Sequence, residues 1–102
     1  MRPDEIKTLL LLAHTGKSSI RGLAKAYYPE NIEVARQGLS RDLVKLERQG
    51  YVKHITRRNA KIYEPTLKGW LYVYKLLSDA WSKDFAAHYL LFGLEKVVEL
   101  PG

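Results

Sequence analysis

Gln37, Arg41, Lys45 and Arg48 recur every three or four residues, with Arg36 and Ser40 beside them. On a helix this spacing gathers them on one side. A guanidinium donates two parallel hydrogen bonds to a guanine edge, and a glutamine amide does the same for adenine. Lysine and serine suit phosphate oxygens. Shortly afterwards come Lys53, His54, Arg57, Arg58 and Lys61, with no carboxylate between Tyr51 and Tyr63. Each cluster has an ordinary alternative: a solvated helix face and cations that guard a sheet edge.

Chemistry of other kinds finds little support. His14, His54 and His88 are scattered without helical ligand spacing, and the 7 glycines are dispersed instead of forming a phosphate loop. With 0 cysteines there is no thiol nucleophile, disulfide framework or Cys-based zinc site. No set of Asp42, Glu47 and Glu64 suggests a convergent acid–base pair. The expectation is a protein without catalytic residues, cofactor or metal.

The elements that must position the two basic clusters follow from periodicity. Ile6, Leu9, Leu10 and Ala13 predict a first helix over about Asp4–His14, with acidic residues at its start and Gly16 after its end. Ser18 or Ser19 can cap a second, short helix with Ile20, Leu23, Ala24 and Tyr27 on its apolar face, interrupted before Pro29. A third helix starts between Pro29 and Ile32 and runs to Gln49, stopping at Gly50. Its apolar stripe is Ile32, Ala35, Leu39, Leu43 and Leu46. Gly38 inside it costs about 1 kcal/mol relative to alanine, which invites a close crossing by the second helix.

After Gly50 the period changes to two. Tyr51–Thr56 and Lys61–Glu64 read as strands joined at a basic tip, Arg57–Ala60, and Pro65 ends the second. From Thr66 the pattern is helical again, as one rod of about 50 Å or as two helices broken between Ser78 and Asp84. Trp70, Tyr74, Leu77, Trp81 and Phe85 form an apolar stripe that exceeds what so small a domain covers from within. It is expected to be a homodimer contact, the alternative being packing against the first helix.

The fold class expected is mainly α with a two-stranded β-hairpin. Residues 1–66 form the unit carrying the basic clusters, and residues 67–102 form a C-terminal helical extension within the same compact body. Lys and Arg number 17 against 11 Asp and Glu, a formal charge of +6 over 102 residues. This excess favours an anionic partner. No apolar run approaches the roughly 20 residues of a membrane span, and no leader pattern is visible at the N-terminus, so no membrane partner and a cytoplasmic location are expected.

The passage Leu39-Ser40-Arg41-Asp42-Leu43-Val44-Lys45-Leu46-Glu47-Arg48-Gln49-Gly50-Tyr51-Val52 resembles the recognition-helix-to-wing passage of winged helix-turn-helix regulators. Tyr63-Glu64-Pro65-Thr66-Leu67-Lys68-Gly69 is similar to the end of the wing in MarR-like and PadR-like repressors. The resemblance spans Ile6 to Leu77 and is specific to the superfamily. It implies a double-stranded DNA-binding transcriptional regulator with the third helix in the major groove and the wing on the backbone or minor groove. By that resemblance, base reading falls on Arg36, Gln37, Ser40 and Arg41, and wing contacts on Arg57, Arg58 and Lys61. Tyr28–Asn31 makes the turn before the third helix longer than the usual 3–4 residues, which bears on Glu33 and Arg36 more than on Arg41. The other reading is a winged-helix protein–protein interaction module without sequence-specific DNA binding.

Overall fold

The computed structural model describes residues 1–80, 82–84, 86–87 and 91. In chain order its elements are α1 (Pro3–Thr15), β1 (Ser18–Ser19), α2 (Ile20–Tyr27), α3 (Ile32–Arg48), β2 (Val52–Arg57), β3 (Ala60–Pro65) and α4 (Leu67–Ala80). The chain is mainly helical with a small three-stranded antiparallel sheet of order β1-β3-β2.

The third strand corrects the expectation of a two-stranded hairpin. Ser18 pairs with Tyr63 and Ser19 with Ile62, so β1 covers the edge of β3 that β2 leaves open. Ser19 then turns the chain into α2, its side chain accepting a hydrogen bond from the Gly22 amide at 2.9 Å. One residue thus closes a strand and caps a helix.

Each helix contributes its apolar stripe to one core. Leu9, Leu12 and Ala13 of α1 meet Leu23 and Ala24 of α2, and Leu39, Leu43 and Leu46 of α3. Val52 and Tyr63 close it from the sheet, and Trp70, Val73 and Leu77 from α4. Ile32 and Ala35, the N-terminal members of the α3 stripe, are only half-buried against this core. Gly38 departs from its expected role: nothing lies within 4 Å of where its Cβ would stand, so α2 does not cross there.

The α3–β2 turn is clamped by the start of α4. Gly50 adopts φ 83, which glycine tolerates without the penalty other residues meet. The Thr66 hydroxyl donates to the Gly50 carbonyl at 2.6 Å and accepts from the Gly69 amide at 3.2 Å. The Thr66 amide donates to the Tyr51 carbonyl at 3.0 Å. Lys68 reaches the Gln49 carbonyl at 2.6 Å, its ammonium 4.5 Å from the Tyr51 ring centroid. These bonds satisfy the carbonyls of the turn from Gln49 to Tyr51 that follows α3.

In α4 the inward face changes the reading of the aromatic stripe. Trp70 is 1 % exposed and Leu77 7 %, both within the core of this same chain, and Tyr74 is half-buried against it. Trp70 and Leu77 therefore have no free face to offer a second copy. Trp81 and Phe85 lie outside the described residues. α4 ends at Ala80 and Ser82 is not helical, which favours the break over a single rod. Ala86, whose amide donates to the Ser82 carbonyl at 3.0 Å, returns to the core. Among the described residues no helix is long and apolar enough to cross a membrane.

Candidate nucleic-acid interface

With Leu39, Leu43 and Leu46 turned inward, the opposite crest of α3 carries Gln37, Arg41 and Arg48, all exposed. Val34 shares that side and is 72 % exposed. Its position off the apolar stripe was a signal in the sequence that passed unused. A valine on such a crest can meet a thymine methyl.

The flanks of the helix differ. On one, Arg36, Gln37 and Ser40 line a cleft of about 500 Å³ shared with Glu33 and Ile20. Arg36 is bound to Glu33 at 3.3 Å, an exposed i,i+3 pair. Such a pair is worth a few tenths of a kcal/mol, so it neutralises Arg36 in the free protein without fixing it. On the other flank Arg41 and Lys45 line a groove of about 750 Å³ against α1. The six expected site residues of α3 therefore do not form one surface: the crest divides them. Lys45 and Ser40 are half-buried, whereas Arg36, Gln37, Arg41 and Arg48 are exposed.

The hairpin is attached to the last turns of α3. His54 Nδ1 lies 2.6 Å from Glu47 Oε2, and its ring packs tilted against Tyr63, the centroids 5.3 Å apart. Burial, and then the Glu47 charge, push the Tyr63 phenol above its ordinary value, so it stays neutral. Beyond this contact the strands project. Arg57 pairs with Ala60, leaving a two-residue turn in which Arg58 has φ 49 and Asn59 φ 66. Positive φ at both central residues is the mark of a type I′ turn, whose twist matches the strands it joins.

Strand alternation separates the tip cations. Lys61 lies opposite Thr56 on the face of His54 and Tyr63, which looks toward α3. Arg57 lies on the face of Ile55 and Lys53, where Lys53 pairs with Glu64 at 3.6 Å. Arg58 stands at the apex. Arg57, Arg58 and Lys61 are exposed, and no carboxylate pairs with them among the described residues.

Two carboxylates on the α1 flank are committed internally. Glu5 is 4 % exposed. It accepts from the Arg2 amide at 2.7 Å and from Gln49 Nε2 at 3.1 Å. Its carboxyl is held below the ordinary glutamate range, first by the Arg2 amide, against the effect of burial, and further by Gln49, Lys45 and the N-terminal amine. A lowered folded value means that this stability is present above the unfolded value of about 4.3 and is lost as pH falls through the folded one. Melting curves of wild type and Glu5→Gln should thus differ near neutrality, the gap narrowing as pH falls below about 4.3 and closing only below the lowered folded value. A constant gap across that range would refute the assignment. Asp42, the second, accepts from the Thr8 hydroxyl at 2.8 Å and ties α3 to α1.

Among the described residues no three His, Asp or Glu side chains form a metal-ligand group. No family model, curated protein or solved structure matches this chain.

Proposed function

We propose that this chain is a winged helix-turn-helix regulator that binds double-stranded DNA, with α3 in the major groove and the β2–β3 hairpin as its wing. The element order α1-β1-α2-α3-β2-β3-α4 and the sheet order β1-β3-β2 are compatible with that fold. The observation that carries the reading is the Glu47–His54 contact. It holds the hairpin, whose tip from Arg57 to Lys61 carries no carboxylate, beside a helix whose crest bears Gln37, Arg41 and Arg48.

A fluorescence titration of duplex DNA against increasing salt tests this. About five phosphate contacts, from the tip, Lys45 and Arg48, give a slope of log K against log salt near −4.5. Lack of duplex binding at low salt sinks the reading and favours a protein-interaction role, for which exposed Val34 and Ile55 would be the contact residues.

Arg58 separates function from stability. A non-glycine residue in the left-handed region costs about 1–2 kcal/mol, and asparagine tolerates it better. Arg58→Asn should therefore hold or raise the melting temperature while lowering the salt slope by about 0.9. Equal losses of stability and affinity would show that the tip is only structural.

Homodimerisation on a two-fold-symmetric site belongs to the same proposal. On the described part of α4 the apolar side chains left for it are Leu67 and Leu71, 45 % and 48 % exposed. Sedimentation equilibrium of wild type and Leu71→Glu would read this directly: loss of a dimer in the variant supports it, and a monomeric wild type removes it.

A further inference from the structure

A groove of about 750 Å³ runs between α1 and α3, and the interface above uses only its α3 rim. We propose that it seats the second phosphodiester strand bordering the major groove, on the side of α3 away from the hairpin. The inference rests on the DNA-binding reading of α3 and extends the contact surface to α1.

Geometry supplies the first argument. A helix with its side chains is about 10–12 Å across, and the major groove is about 12 Å wide. A helix seated there meets a phosphate strand on each flank. One flank of α3 faces the hairpin through Glu47 and His54. Its other flank faces α1 through Asp42 and Thr8. Arg41, on the crest, is also a lining residue of the α1 groove, so the groove opens on the surface that would face DNA.

The second argument is the state of the polar groups. Acceptors in the groove are largely closed: Glu5 is occupied by the Arg2 amide and Gln49, and Asp42 by Thr8. Asp4 is the one lining carboxylate without a comparable bond among the described residues. Donors are open. The Arg2 guanidinium, Lys7 and Lys45 belong to no ion pair among the described residues. Lys7 is held 5.5 Å over the Tyr28 ring, and the Asn31 side chain forms no cap to α3. Three open cations against the single uncommitted carboxylate, Asp4, suit an anion with many acceptor oxygens, such as a phosphodiester.

Gly38 completes the site. It lies in the groove lining with empty space above it, so a strand can approach the helix backbone without meeting a side chain. That gives the mid-helix glycine a purpose that internal packing does not.

The test is a salt series on a duplex bound by the full chain, comparing wild type, Arg2→Gln, Lys7→Gln, Gly38→Leu and, as a control on exposed α4 surface, Lys75→Gln. Arg2→Gln and Lys7→Gln should each lower the salt slope by about 0.9 and weaken low-salt binding by about three- to tenfold. Gly38→Leu should weaken binding with no fall in melting temperature, and Lys75→Gln should leave the slope unchanged. If Arg2→Gln and Lys7→Gln keep the wild-type slope while Arg58→Asn lowers it, the groove proposal is overturned and the α3–hairpin reading stands. Failure of the wild type to bind duplex overturns both.

Discussion

Gly69→Ala should lower the unfolding free energy by about 3 kcal/mol, although alanine is the better helix former. The added Cβ would collide with the Tyr51 carbonyl oxygen and stand 3.3 Å from Pro65 Cβ. That oxygen cannot retreat cheaply, because it accepts the Thr66 amide at 3.0 Å. Relieving the clash means moving α4 off the α3–β2 turn, and with it Trp70, 1 % exposed in the core. Gly38→Ala is the matched control. It has open space, so it should gain up to about 1 kcal/mol from helix propensity. Urea denaturation of both variants measures the contrast, and similar values for the two would show that the close approach at Gly69 is relaxed in solution.

Arg41→Ala should weaken discrimination at one base position by about 1–3 kcal/mol, the largest binding effect expected of any single crest residue. Arg41 is exposed on the crest and joins no ion pair among the described residues, whereas Arg36 is engaged by Glu33. It is therefore free to form a bidentate contact without first breaking one. Arg41→Lys separates its two possible roles. Lysine keeps the charge but not the planar fork, so the salt slope should persist while preference among duplex sequences falls. Binding selections from a random duplex pool, run on wild type and both variants, read preference directly. Unchanged preference in Arg41→Ala would move the residue from base reading to backbone contact. Gln37→Ala offers a second position for the same measurement.

Local pattern was enough to read most elements. The 3–4 spacing of Leu39, Leu43 and Leu46 set the inward side of α3 and hence which cations it exposes. Period-two alternation and Asn59 located the hairpin, because a turn needing positive φ calls for such a residue. The expected stops at Pro29 and Gly50 follow from backbone chemistry that needs no tertiary partner.

What tertiary structure decided are the features set by residues far apart in the chain. Strand β1 has two residues, too few for any period, and exists because β3 has an open edge beside it. Trp70 and Leu77 looked like surplus apolar surface until α4 packed them into the core, since periodicity gives a face but not what covers it. The basic clusters were legible as charge. Their division by the α3 crest and by strand alternation, and the open donors of Arg2 and Lys7 beside Lys45, depend on how α1 and the hairpin flank that helix. Composition and spacing determined that this chain carries a basic helix and a basic hairpin. Only packing decided which of those cations are free, because pairing and burial are properties of neighbours that sequence order does not bring together.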